Sequence, residues 1–136
     1  MQFVIAYAAT AIVFFTADFL WLSFASPRIY RPQLGTLLAD QPNLGVAAIF
    51  YAVYVVGVVV LAVQPATAAK SLPMAIGFAA LLGLVAYGTY DITNLATIRG
   101  WPLIVSLIDM AWGVFVTAIA AAAGFVALRS LGAVSG

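Results

Sequence analysis

Three of the four acidic side chains in the sequence, Asp18, Asp91 and Asp109, occur inside long apolar stretches that contain no Lys, Arg or His. An ionised side chain at membrane depth costs about 2.5–3.5 kcal/mol or more unless it is paired, protonated or hydrated. Acids retained there usually mark ion pathways, proton relays or ligand sites. These three carboxyls are therefore the first candidates for a functional site.

Polar and aromatic side chains accompany each carboxyl at helical spacing. Tyr87 and Asn94 lie one and two turns from Asp91 on the same helical face, because residues at i, i+4 and i+7 align. Trp21 and Trp112 share faces with Asp18 and Asp109 in the same way. If these faces converge, they form a pocket of carboxyl, amide and phenol groups walled by aromatic rings. We predict a substrate- or proton-binding site composed of Asp18, Asp91, Asp109, Asn94, Tyr87, Tyr90, Trp21, Trp112 and Tyr51.

The elements that must position these side chains are four apolar runs at about 3–25, 45–64, 73–98 and 102–128. The chain is 66% hydrophobic and only 7% charged, whereas a soluble domain carries roughly 25% charged residues. Each run reaches the ~20 residues that a helix needs to cross ~30 Å of hydrocarbon. We predict an all-α integral membrane four-helix bundle that forms one transmembrane domain over 1–136, surrounded by the lipid bilayer.

Prolines mark the predicted ends of the first two helices. Pro27 follows the first apolar run and Pro65 the second, and proline disfavours a continuing helix. Residues 27–44 then form the longest connection, which is either an ordinary loop or a short helix on the membrane surface. After the fourth helix ends near Arg129, a short tail of small residues remains.

The order of the helices predicts that the three carboxyls share one level. The first and third helices run in the same direction, and the fourth begins where the third ends. Asp18, Asp91 and Asp109 each lie about two helical turns from that common face, which is roughly 12 Å at 1.5 Å per residue. Three separate helices would then deliver their only intramembrane acids to one layer of one leaflet.

A short internal similarity suggests a duplication. The Thr-x-Asp pattern that ends at Asp18 and precedes Leu22 recurs at Asp91 and Leu95. The bundle could therefore consist of two pseudo-equivalent hairpins related by an axis along the membrane normal.

Charge gives a weak orientation. The face nearest the carboxyls carries Arg28, Arg31 and Arg99, against Lys70 and Arg129 on the other face. Positively charged loops favour the cytoplasm, so this face is predicted to be cytoplasmic.

Composition excludes several functions. The sequence contains no Cys and no His, which argues against disulfides, zinc, haem and Ser-His-Asp catalysis. Three aspartates could in principle bind Mg²⁺, but nothing in their spacing requires it, and we predict neither a metal nor a cofactor. A net charge of +1 gives no sign of nucleic-acid binding.

Three functions fit these residues. The first and preferred is a small transporter or channel for a proton-coupled or cationic solute, with the three aspartates binding protons or substrate. The second is an intramembrane enzyme on a lipid or isoprenoid, with Asp91 or Asp109 as general acid/base and Tyr87, Tyr90 and Asn94 orienting the substrate. A cavity open to lipid beside the carboxyls would favour it. The third is a structural or assembly subunit of a membrane complex. A homodimer through a small-residue face is also expected.

One resemblance supports the membrane assignment. The run YGTYDITNLAT at 87–97, followed by GWP at 100–102, resembles the most distinctive stretch of a bacterial family of small four-helix membrane proteins. That family is the domain of unknown function number twenty-one seventy-seven. DFLW at 18–21 and DMAW at 109–112 resemble its other recurring patches. The resemblance implies a multi-pass bundle in a bacterial inner membrane, and it brings no established activity, substrate or catalytic residues.

Overall fold

The protein is a bundle of transmembrane helices, described for residues 1–132 by a computed structural model. Within those residues, four helices are long and apolar enough to cross a membrane: α1 (Gln2–Leu37), α2 (Leu44–Ala68), α3 (Leu72–Thr97) and α4 (Leu103–Ser130). The same residues contain no strand. The predicted all-α membrane bundle is therefore confirmed. The predicted tail falls partly on residues 133–136, which lie outside the described residues.

Helix α3 begins and ends close to its predicted bounds because local signals define both ends. The Ser71 side chain caps the first turn by accepting a hydrogen bond from the Met74 amide at 3.2 Å. Pro73 lies in that first turn, where its missing amide hydrogen has no cost. After Thr97 the chain turns at Gly100, whose φ of +76° favours glycine.

The prediction that the first helix ends at Pro27 is wrong. Helix α1 is α-helical over Gln2–Ala25, π-helical over Ser26–Tyr30 and helical again over Arg31–Leu34 and Gly35–Leu37. A π-helical segment shifts the hydrogen-bond register by one residue, and such a shift accommodates the missing amide hydrogen of proline. Residues 27–37 are therefore a continuation of α1, and neither the predicted loop nor a separate surface helix.

The prediction that Pro65 ends the second helix is wrong for the same reason. Helix α2 is α-helical over Leu44–Val58, π-helical over Val59–Val63 and α-helical again over Gln64–Ala68. Proline again lies at the start of the segment that follows a register shift. Both prolines thus modify a transmembrane helix without ending it, which membrane helices tolerate when neighbouring groups satisfy the backbone.

Helix α4 lies at the centre of the bundle and packs against α1, α2 and α3. Small residues bring α3 and α4 close together: Ala75, Ala79 and Gly83 are buried on the face of α3. A Cβ atom at Gly83 would collide with the Gly113 carbonyl oxygen of α4. Close approach through small residues is the usual way in which transmembrane helices associate. This small-residue face is used within the chain, so the homodimer stays a prediction.

The two halves of the bundle differ in how tightly α2 packs. The carboxyl half of α2, Val59–Ala68, contacts α3 and α4, whereas its amino half, Leu44–Val58, makes almost no contact with α3. One end of the bundle is therefore closed by an apolar core that includes Phe14, Val58 and Ala120. At the other end α2 and α3 are separated. The α3–α4 hairpin packs more extensively than the α1–α2 hairpin, and an ancestral duplication stays a prediction.

Candidate functional site

A cavity of about 520 Å³ lies in the half of the bundle where α2 and α3 are separated. It is open on one side. Among its described lining are two of the three candidate aspartates and five of the other predicted site residues. The lining consists of Asp18, Trp21, Leu22, Phe50, Tyr51, Tyr54, Ala86, Tyr87, Thr89, Tyr90, Asp109 and Trp112. We call this the aromatic cavity.

Asp18 is held at the wall between α1 and α4. Its side chain is only 5% exposed, and its Oδ1 accepts a hydrogen bond from the indole Nε1 of Trp112 at 3.0 Å. The Trp112 ring stacks on Trp21 with centroids 4.8 Å apart and an interplanar angle of 10°. The Tyr51 hydroxyl of α2 neighbours the same carboxyl. Packing and hydrogen bonds therefore fix this carboxyl in one orientation.

Asp109 is reached by a chain of hydrogen bonds from α1. Its Oδ1 accepts from the Tyr30 hydroxyl at 3.1 Å, and that hydroxyl accepts from the Trp21 indole Nε1 at 3.1 Å. The two stacked indoles thus serve two different carboxyls, Trp112 directly and Trp21 through Tyr30. Asp109 is less buried than Asp18 and also neighbours Asp91.

Asp91 differs from the other two because neither of its carboxyl oxygens has a hydrogen-bond partner among the described residues. Its side chain is 0% exposed. The backbone around it is well supported: the Ser106 hydroxyl donates to the Asp91 carbonyl at 2.9 Å and accepts from the Trp101 indole at 3.0 Å. A rigid frame therefore carries a buried carboxyl that lacks a donor.

A second cavity of about 530 Å³ adjoins the first, and we call it the interfacial cavity. Asp91 lines it, and Leu22, Tyr90 and Asp109 line both cavities. The interfacial cavity extends along the π-helical segment of α1 to the exposed side chain of Arg31. Asp109 thus lies between an aromatic cavity and a second space that leads toward the end of the bundle.

The floor of the aromatic cavity is made of packed aromatic rings. Phe14, 0% exposed, lies 5.5 Å from the Tyr51 ring and 5.3 Å from the Tyr54 ring, measured between centroids. The Tyr54 hydroxyl hydrogen-bonds the Thr117 hydroxyl at 2.8 Å. Tyr87 packs directly on Gly113, where any Cβ atom would collide with its ring. These contacts separate the cavity from the closed half.

Asn94 is the one predicted site residue that the structure does not bring to a cavity. It lies half-buried beside the Tyr90 phenol and lines neither the aromatic nor the interfacial cavity. Its helical face turns away from that of Tyr87 toward the end of α3.

Sequence reasoning missed Tyr30 as a site residue. Nine residues separate it from Trp21, and at 100° per residue a regular α-helix would place the two on opposite faces. The π-helical segment Ser26–Tyr30 changes that phase, so the Tyr30 hydroxyl reaches both Trp21 and Asp109. The pairing of Pro27 with nearby aromatic residues was the only available signal. Tyr54 and Thr89 also line the aromatic cavity without having been included.

The arrangement is suited to positive charge. The described lining of the aromatic cavity holds two carboxyls and neither Lys nor Arg. Among residues 1–132 no group of three His, Cys, Asp or Glu side chains is placed to hold a metal ion. The site can accept hydrogen bonds, stabilise a cation against aromatic faces, and exchange protons.

Comparison with known proteins agrees with the membrane architecture. Neither the curated proteins nor the solved structures contain a significant match to the chain. One protein-family model, described as a predicted membrane protein, matches residues 3–126. That match covers nearly the whole bundle, including the four helices and all three aspartates. The chain therefore belongs to the DUF2177 family of predicted membrane proteins.

Proposed function

We propose that the protein binds an amphipathic organic cation in the aromatic cavity and transports it. The observation that carries this proposal is the pairing of Asp18 and Asp109 within one aromatic lining that contains no Lys or Arg among its described residues. A cationic ligand would supply the positive charge that the lining lacks, and burial of charge is tolerated when it is paired.

The aromatic rings support a ligand with both a charge and an apolar body. Trp and Tyr faces attract cations, by about 2 kcal/mol or more when the site is desolvated. Tyr51, Tyr87 and Tyr90 line the cavity together with the stacked indoles. A volume of about 520 Å³ lies within the roughly 300–1,000 Å³ that is usual for small-molecule sites.

The separation of α2 from α3 supports entry from the membrane. Phe50 and Tyr90 line the cavity from these two helices, and they are 62% and 58% exposed. In a bilayer the gap between them opens toward lipid. An amphipathic cation partitions into the membrane and could enter sideways without crossing the polar surface.

A third cavity supports movement across the membrane. It occupies about 440 Å³ at the opposite end of the bundle, where Gln2, Gln64 and Thr67 line it. The apolar core around Phe14 and Val58 separates it from the aromatic cavity. Two cavities with a closed layer between them are what one state of an alternating-access carrier requires.

Calorimetric binding of tetraphenylphosphonium to the purified protein in lipid nanodiscs tests this proposal. We expect Asp18→Asn and Asp109→Asn to weaken binding at least tenfold, because a charge pair at 4 Å contributes about 4 kcal/mol at an effective dielectric constant of 20. Asparagine keeps an oxygen that can accept from Trp112 or Tyr30, so these variants change charge and preserve the hydrogen bonds. Asp40→Asn is the matched control, since Asp40 is exposed in the connection between α1 and α2.

Two results would contradict the proposal. One is unchanged affinity in both Asp18→Asn and Asp109→Asn. The other is equally tight binding of triphenylphosphine oxide, a neutral molecule of similar apolar character. Uptake of tetraphenylphosphonium into proteoliposomes then separates transport from binding alone.

The opening toward lipid also favours a second function, an enzyme that acts on a lipid or isoprenoid with Asp109 as general acid/base. Asp109 is more accessible than Asp91 and lines both cavities. A lipid that co-purifies with Asp109→Asn, and that the wild-type protein converts on mixing, would support this function. Unchanged lipid composition in both preparations would count against it.

A further inference from the structure

We propose that Asp91 and Asp109 form a carboxyl pair that holds one proton, and that binding of a cation in the aromatic cavity releases this proton through the interfacial cavity. The inference rests on the proposed function for the ligand, and it adds a second site, a second ligand and a coupling between them.

The first observation is the lack of any donor for the Asp91 carboxyl. Both its oxygens are without a hydrogen-bond partner among residues 1–132, although the side chain is 0% exposed and lines the interfacial cavity. Leaving a buried acceptor unsatisfied costs about 1–3 kcal/mol, and more for a charged group. A buried carboxyl in this position needs a proton or a cation.

The second observation is the neighbour that the carboxyl faces. The Asp109 carboxyl lies beside Asp91, and its Oδ1 already accepts from Tyr30. Two acceptors in contact cannot satisfy each other unless one of them carries a proton, which then forms a hydrogen bond between them. One shared proton satisfies both groups and leaves a single negative charge on the pair.

A metal ion fits this place less well than a proton. Calcium requires six to eight oxygen ligands and magnesium near-ideal octahedral geometry. The pair supplies carboxylate oxygens from two residues, and the adjacent Ser106 hydroxyl is already engaged with Trp101 and the Asp91 carbonyl. No third acidic ligand completes a metal site among the described residues.

Other titratable and charged groups face the pair from three helices. They are Asp18, Tyr30 and Arg31 from α1, Tyr51 from α2, and Tyr87 and Tyr90 from α3. Asp18 belongs to the aromatic cavity and has its own donor in Trp112. The tyrosines are neutral donors at ordinary pH, which leaves the Asp91–Asp109 pair as the group that exchanges a proton.

Asp109 couples the two sites because it lines both cavities. A cation in the aromatic cavity stabilises the ionised form of Asp109 and thereby competes with the proton that Asp109 shares with Asp91. The balance is one cation bound and one proton released, with the pair changing from one negative charge to two. The interfacial cavity, which reaches Arg31, gives the proton a path to the end of the bundle.

Infrared spectroscopy of the protein in nanodiscs tests the pair without any ligand. We expect a protonated-carboxyl C=O band in the wild type and in Asp40→Asn, and loss of that band in Asp91→Asn. Identical spectra for wild type and Asp91→Asn would overturn the proposal. A band that disappears when Na⁺ is added at constant pH would overturn it too, because the pair would then be a metal-ion site.

Proton release on addition of tetraphenylphosphonium tests the coupling. In weakly buffered solution the wild type and Asp40→Asn should release one proton for each cation bound, and their affinity should rise with pH. Asp91→Asn should still bind the cation, because Asp91 lies outside the aromatic cavity, but should release no proton and show an affinity independent of pH. Release by Asp91→Asn equal to that of the wild type would contradict the coupling.

The two proposals fail in different ways. If tetraphenylphosphonium does not bind the wild type, the proposed function fails for this class of ligand, and the infrared band alone decides whether the pair holds a proton. If it binds without releasing a proton, the proposed function stands and the coupling is wrong.

Discussion

The two halves of the bundle are built from different side chains. In the closed half, alanine, glycine and valine bring the helices into direct contact, as where Gly83 meets Gly113 and Gly124 meets Thr10. In the half with the cavities, indole and phenol rings hold the helices apart and surround carboxyls. The helices are continuous through both halves, so tight contact at one end fixes the separation at the other. Stability and the binding site are therefore located in different parts of the same four elements.

The largest expected effect comes from breaking the closed half. Gly83→Ala should lower the free energy of unfolding by about 1–3 kcal/mol, because the new Cβ would collide with backbone of α4 and nothing flexible can yield. Gly77→Ala is the matched control on the same helix, since a Cβ there meets nothing within 4 Å. Unfolding in sodium dodecyl sulfate, followed by circular dichroism, measures both. Equal stability of the two variants would show that the contact between α3 and α4 is looser than described.

An intermediate effect should distinguish the halves by access to water. The chain contains no cysteine, so single cysteines can be labelled without background. Ala86→Cys, in the aromatic cavity, should react with a maleimide, and tetraphenylphosphonium should slow the reaction. Ala79→Cys on the same helix is 0% exposed and should stay unmodified. Because thiol reagents attack the thiolate, labelling of both positions at one rate would contradict the contrast between a wetted cavity and a dry core.

The smallest expected effect is the loss of one hydroxyl. Tyr30→Phe removes the hydroxyl that accepts from Trp21 and donates to Asp109. Hydrogen bonds between transmembrane helices contribute about 0.6 kcal/mol on average, so stability should fall only slightly, while affinity for tetraphenylphosphonium should change because Asp109 loses its donor. Tyr7→Phe, which deletes the hydrogen bond from Tyr7 to the Ala52 carbonyl, should cost as much stability and leave affinity unchanged. Affinity that changes equally in both variants would indicate a general loosening of the bundle.

The fold was largely predictable because lipid leaves few alternatives. Apolar runs of sufficient length must become helices, and α3 and α4 fall near their expected bounds because Pro73 and Gly100 act as simple end signals. The ends of α1 and α2 were not predictable by the same rule. Pro27 and Pro65 end helices in water, but within a bundle the backbone changes register and continues.

The site was predictable where regular helical spacing holds. Trp21, Asp18, Asp109 and Trp112 lie on undisturbed α-helix, and simple periodicity places them on inward faces. Tyr30 follows a register shift, and no periodicity argument crosses such a shift. Asn94 shows the opposite error, because matching spacing on one helix does not guarantee that the face extends into a cavity. The level at which three helices meet is set by packing between them, which a single sequence does not encode directly.

The π-helical segment Ser26–Tyr30 makes the length of α1 a determinant of the chemistry. Deleting a single residue within it would restore uniform winding and rotate everything that follows by about 100°. The phenol would then point into lipid, and the carboxyl opposite it would lose its only recorded donor. In this family, a one-residue gap or insertion just before that tyrosine should therefore be as disruptive as replacing the acid itself.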